Sequence, residues 1–296
     1  MLRDRVAAVF AAVIVILLPL ALGACGSDDN AEADAKPAVH TDFDAKNFSD
    51  STKIDNEYSP LEPGSQYVFE GRSNRGLGRL PHQVIFTVTD LVKEVNGVRT
   101  VVLWDRDINA GKLLEGELAM WAQDDDGNVW LLGEYPEEYD ERGRFEQAPD
   151  TWLAGVDRAQ AGIMMRANPK TGTTPYRQGL APSIGFADIA KVEKTGQRDC
   201  VPTGCYDDVV VTRETNPEEP DDGFQLKYYA PGIGNTRAAP RGGKEKEVLV
   251  LIKERKLGAK EMDEVRREAT KLDQRAYRSR PAVWGDTRPV ERGSGE

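Results

Sequence analysis

The sequence predicts a mainly β protein: a curved antiparallel sheet (half-barrel, barrel or sandwich) followed by one C-terminal amphipathic helix. Three observations carry that class. From Tyr58 to Lys253 the chain is a series of short β-like runs divided by turn residues. Several runs are apolar on both faces, whereas a half-solvated sheet alternates apolar and polar side chains. Near the C-terminus, Met262, Val265, Ala269, Leu272 and Ala276 form one 3/4-spaced stripe among charged residues.

The runs follow in order. "QYVFEG" comes first, then "HQVIFTVTDLVKEV", and Asn96-Gly97 is a two-residue hairpin signal because both turn positions need φ > 0. "VRTVVLWDRD" returns along the other arm. "LLEGELAMWAQ" and "NVWLLGEY" make a second hairpin around "DDDGN", and "YDDVVVTRET", "FQLKYYA" and "EVLVLIK" complete the set. Val84, Phe86 and Val88 share one face of their strand while Ile85, Thr87 and Thr89 share the other. A curl of the sheet, a packed helix or an apolar ligand must cover the second face. Residues 149–196 hold few strand signals, and an irregular segment of that length reads as a functional cover.

The ends set the compartment. Arg3 and Arg5 precede a continuous apolar run from Val6 to Leu22, which closes in "LGAC". A charged start, an apolar core and small residues before a cut make an export signal over residues 1–24. "LGAC" resembles the lipobox of bacterial lipoproteins. The resemblance implies diacylation of Cys25, cleavage just before it, and anchoring to the outer face of the cytoplasmic membrane, for which two acyl chains suffice. Residues 25–57 are small, acidic and poor in large apolar side chains, so they are expected to be a flexible tether. The domain division is then a β-rich body over 58–255, a helix over 256–280 and a disordered tail over 281–296.

Charge excludes one class of partner. Residues 1–236 carry 23 Lys+Arg against 39 Asp+Glu, and residues 237–296 carry 16 against 11, balances of −16 and +5 within the net −11. An acidic body argues against nucleic acid. The basic C-terminal helix reads as a solvated face packed on its own domain, or as a dock for an envelope protein. Of the three cysteines, Cys200 and Cys205 flank a Pro/Gly turn in "DCVPTGCYDD" and are expected to form a disulfide.

No catalytic constellation emerges. "APSIG" places Ser183 as in a nucleophile elbow, but Ala181 replaces the first glycine and Pro182 precedes the serine. His40 sits in the tether, and His82, after Pro81 at a strand start, is expected at the surface or an edge. Asp105 and Asp107, and likewise Glu115 and Glu117, would share strand faces as paired carboxylates do in glycoside hydrolysis. Solvated strand edges explain them as well. Asp124, Asp126 and Asn128 are oxygen donors at alternating positions, which makes calcium the one cofactor candidate. The expected twelfth-position glutamate is absent, and Asp126-Gly127 also suits a tight hairpin.

"PLEPGSQYVFEG", "WAQDDDGNVWLLGE", "AGVDRAQAGIMM" and "KYYAPGIG" together resemble a group of exported bacterial proteins of unassigned activity, over roughly residues 58–236. The basic helix departs from that group. The resemblance implies an exported β-rich domain and assigns no catalytic residue. The expected function is non-enzymatic binding of an apolar or amphiphilic ligand or an envelope partner, with Trp104, Trp121, Trp130, Met164 and Met165 as the lining. The alternatives are a structural lipoprotein of an envelope complex and a carboxylate-dependent envelope hydrolase.

Overall fold

The computed structural model describes residues 42–74, 79–218, 221, 223–242 and 247–293. The segment expected to be an export signal, Cys25, His40 and the first part of the expected tether lie outside these residues. Five long strands come first: β1 (Ser65–Asn74), β2 (Arg79–Val95), β3 (Val98–Asn109), β4 (Lys112–Gln123) and β5 (Val129–Tyr139). Shorter pieces follow: β6 (Phe145–Gln147), β7 (Trp152–Leu153), β8 (Gln160–Met165), β9 (Tyr176–Arg177) and β10 (Gly179–Leu180). The set closes with β11 (Ile189–Val201), β12 (Gly204–Thr215), β13 (Phe224–Ala230), β14 (Gly234–Arg241), β15 (Val248–Lys256) and β16 (Glu291–Arg292).

All belong to one antiparallel sheet of path β10-β8-β5-β4-β3-β2-β1-β15-β14-β13-β12-β11-β9, with β6 and β7 on β5 and β16 on β2. Hairpins make most of the path, and the predicted turns are where the spacing put them. Asn96 and Gly97 both have positive φ (49° and 80°), as a two-residue turn requires. The main seam between strands far apart in sequence is β1 on β15, Ser65 opposite Lys256.

The two ends of the path meet. Tyr176 and Arg177 pair with β11, and two residues later Gly179 and Leu180 pair with β8. Residues 176–180 therefore clip both edges of the sheet, which curls upon itself and gains an inner and an outer face. The clip demands close approach: a Cβ on Gly162 would run into the backbone of Gln178.

The curl answers the two-sided apolar pattern. One continuous core runs from Tyr67, Phe69 and Phe86 through Leu103, Leu118 and Met120 to Trp152 and Trp284. The outer face over β2–β5 is covered by α1 (Ala259–Ser279), whose Val265, Ala269, Leu272 and Ala276 are buried as the stripe predicts. Glu261 starts the helix by accepting a bond from the Gly258 amide at 3.0 Å. A buried polar anchor fixes it: Lys93 Nζ lies 3.0 Å from Asp273 Oδ1, which also accepts from Trp284 Nε1 at 2.8 Å. Arg275 adds a two-point bond to Glu137 at 2.8 and 2.6 Å, and Arg266 another to Asp90 at 3.0 and 2.7 Å. Among the described residues no helix is long and apolar enough to cross a membrane.

Two expected boundaries are corrected. The tether was expected to reach residue 57, but Phe48 and Ile54 are buried in the core and Phe48 packs edge-on against Trp130. Phe43, Phe48 and Ile54 dock it, and Ser49 and Asn56 add hydrogen bonds to Asp125 and to Gln123 and Gly127. The tail after Pro281 was expected to be disordered. Instead a short helix α2 (Pro281–Trp284) places Trp284 wholly in the core, and Glu291 pairs with Val92 in the sheet.

Candidate functional site

Register assigns the inner face. Directly opposed residues on paired strands share a side. Tyr67 opposes Phe86, Phe86 opposes Asp105, and Asp105 opposes Glu117; one row over, Val84, Asp107 and Glu115 align. On β5, Glu134 opposes Ala119 of β4. On the far wall Lys227 opposes Thr212, and Tyr229 opposes Val210. The interior therefore holds aromatic and acidic side chains together.

The apolar part is a cleft lined by Leu61, Tyr67, Phe69, Phe86, Trp121, Met164 and Tyr229, with Ser59, Pro60, Ile233 and Asn235 at its margin and Lys227 among its walls. Its cavity volume is about 50 Å³, within an empty space of about 540 Å³ that includes the open mouth. Phe86 and Trp121 meet edge to face at 6.3 Å. The indole N–H of Trp121 is buried and has no hydrogen-bond partner among the described residues. Lys227 Nζ sits 2.7 Å from Glu214 Oε2, and Glu214 Oε1 accepts from Thr212 at 2.9 Å and Tyr229 at 3.3 Å.

The acidic part lies against it. Asp105, Asp107, Glu115, Glu117 and Glu134 are all buried, which corrects the reading of these carboxylates as solvated strand edges. An i, i+2 acidic pair marks one strand face, and only closure of the sheet decides whether that face meets water. Burial pushes Asp105 up to about 8, against a bond from the Arg106 amide. Burial likewise raises Glu134 to about 8, with Asp188 adding to the rise and Trp152, Lys227 and Glu117 opposing it. Glu117 is held well above the usual carboxylate range by burial and by its acidic neighbours Glu134, Glu115 and Asp105. Trp152 Nε1 donates to Glu134 Oε2 at 2.8 Å.

His82 is a second correction. Expected at the surface, it is 2% exposed. Its Nε2 bonds Asp107 Oδ1 at 2.8 Å and its Nδ1 contacts Glu247. Burial opposes its charge, but the two carboxylates outweigh burial and raise it to about 9, which favours the charged ring at neutral pH. Proline before it does mark a strand start, but that strand continues into the closed interior.

The sequence-predicted lining divides. Trp121 and Met164 line the cleft. Trp104 carries the Arg106 guanidinium over its ring at 4.3 Å and opposes Leu118, on the other face from Asp105. Trp130 supports Phe43 and Phe48, and Met165 is wholly buried opposite Val129. The acidic turn is knit internally: Asp124 accepts from the Asn128 amide at 2.7 Å, from Asn128 Nδ2 at 2.8 Å and from Trp130 Nε1 at 2.8 Å. Gly127 has φ 87°, the turn conformation that favours glycine. Among the described residues no three His, Cys, Asp or Glu side chains are grouped to hold a metal ion. Cys200 and Cys205 are bonded as a directly opposed pair of β11 and β12. Ser183 lies in a short 3-10 turn. Lys227, Tyr229 and Glu214 carried no signal in the sequence beyond strand periodicity.

No protein-family model matches the chain, and no curated protein matches it. Two solved structures resemble it. One, from Bacteroides fragilis, is described as an exported protein with a YmcC-like fold; it is 16% identical, with 68% of this chain and all of that chain covered, at a TM-score of 0.36. The other, from Parabacteroides distasonis, is described as a lipoprotein; it is 13% identical, with 68% and 99% covered, at a TM-score of 0.37. At such scores neither likeness bears on what this chain binds.

Proposed function

We propose that this chain is an exported lipoprotein, anchored through Cys25 to the outer face of the cytoplasmic membrane, that binds an apolar or amphiphilic ligand without catalysis. The observation that carries the reading is the cleft on the inner face of the curled sheet. Its walls are aromatic and aliphatic, and a few polar groups converge on it, as in small-molecule sites. The lipobox supplies the anchor and the compartment.

The two alternatives are less well supported. Glycoside hydrolysis needs its two carboxyls about 5–9 Å apart to hold the sugar or a water between them. Glu117 is instead buried and crowded by Glu134, Glu115 and Asp105, which together hold it well above the usual carboxylate range. A docking role for the basic helix loses its apolar stripe, which is spent on the chain's own sheet.

Native mass spectrometry of full-length protein extracted from its membrane tests the reading. A co-purifying apolar molecule, lost when Phe86 and Met164 are both enlarged to Trp, is the expected result. Absence of any such molecule, with no uptake of an added apolar probe, would overturn it. Loss of membrane retention in Cys25→Ser checks the anchor separately.

A further inference from the structure

We infer that the cleft takes one slim hydrocarbon chain ending in an uncharged hydrogen-bond acceptor, such as an ester carbonyl, with Trp121 as the residue that recognises the head. The inference rests on the binding reading above and narrows it to a chemical class.

The first ground is an orphan donor. Trp121 is 6% exposed, lines the cleft, and its Nε1–H has no partner among the described residues. An indole offers a donor and no acceptor, and a buried donor without a partner costs stability. The buried tryptophans Trp130, Trp152 and Trp284 each give this hydrogen to a carboxylate at 2.8 Å. Trp121 is the exception, and it is the one of these four at the cleft.

The second ground is charge. The ammonium of Lys227 is already neutralised by Glu214 at 2.7 Å. Beyond it Glu134 and Asp105 titrate at about 8, so both are largely uncharged at neutral pH. An anionic head would find the cation taken and acids behind it. A cationic head would meet Lys227 and bring Trp121 no acceptor. A neutral acceptor fits both conditions.

The third ground is width. Water needs about 10–15 Å³ of centre volume per molecule. The roughly 50 Å³ here is less than the about 150 Å³ that takes a benzene ring, so it admits the end of one slim chain with the rest in the open mouth, and not the paired tails of a phospholipid.

The test uses full-length protein, with methyl cis-parinarate as a slim, uncharged fluorescent chain displaced by methyl laurate, laurate, dodecylamine or dodecane. Methyl laurate is expected to displace it at roughly 3- to 10-fold lower concentration than the other three, the reach of one neutral hydrogen bond. Trp121→Phe keeps the ring, removes the N–H, and is expected to abolish that preference while leaving dodecane unchanged. Equal displacement by all four in the wild type, a preference for laurate or dodecylamine, or a preference that survives Trp121→Phe overturns the inference alone. The wild-type ranking decides even if the variant fails to fold. A probe that does not bind at all would instead take down the binding reading, and the inference with it.

Discussion

Glu117 of β4 and Glu134 of β5 are buried on neighbouring strands of the inner face, and burial holds both carboxyls well above the usual carboxylate range. With Asp105 beside them and His82 charged between Asp107 and Glu247, the inner face is a proton store at neutral pH.

Stability is therefore expected to fall as pH rises. Asp105 and Glu134 have folded values near 8, above their ordinary 3.8 and 4.5, so the folded state binds the extra protons. Their contribution is complete below the unfolded values and is lost as pH climbs through 8. His82 adds a loss of the same sign between 6.5 and 9. The carboxylates with lowered values, Asp55, Asp125, Asp140 and Glu261, work in the opposite sense but only at acid pH. Urea midpoints at pH 5.5, 7 and 9 should decline in that order, and Glu134→Gln should flatten the decline up to 8. A midpoint that is constant or rises contradicts this.

Lys93 and Asp273 should prove strongly coupled. Each is buried, so Lys93→Met or Asp273→Leu alone leaves the other's charge uncompensated, at a cost of about 3–5 kcal/mol. The double variant should cost far less than the two single costs combined. Additive losses in denaturant melts would show that the pair does not anchor α1.

Phe48→Ala should cost about 3 kcal/mol and release the N-terminal segment from Trp130. Limited proteolysis reads the release directly: new cuts between residues 42 and 57 with the body intact. An unchanged digestion pattern would mean that the ring does not hold this segment.

Replacing Cys200 and Cys205 together by serine should lower stability by about 2 kcal/mol, since the bond closes only a short loop. The hairpin between β11 and β12 remains paired without it. Reductant should reproduce the shift in the wild type and leave the double variant unmoved.

Much of the fold could be read from the sequence because its signals are local. Asn96-Gly97, Asp126-Gly127 and the stripe on α1 each specify structure within a few residues. The candidate site is a product of closure, which no local pattern reports. Asp105 and Glu117 have the periodicity of solvated edge residues, and they become interior only because residues 176–180 join β8 to β11. Trp284 escapes a sequence reading for a related reason: one aromatic in a polar tail has no period, and its place depends on Asp273 of the preceding helix and on Lys93 far away in sequence. Trp121 and Met164 are legible as apolar, and Trp121 shares the inner face with Glu117 and Ala119 by alternation, but the bulge at Leu132 of β5, which shifts Trp130 relative to it, has no local signal.

The seam between β1 and β15 governs the order of assembly. Strands β1 to β5 can zip by successive hairpins, each adding neighbours close in sequence. The free side of β1 has no partner until Val248–Lys256 arrives, near the end of the chain. Through that interval a strand edge carrying Tyr67 and Phe69 stands open to pairing with another molecule. Closure of this seam is thus the slow, late step, and the one at which a folding chain is most exposed to self-association.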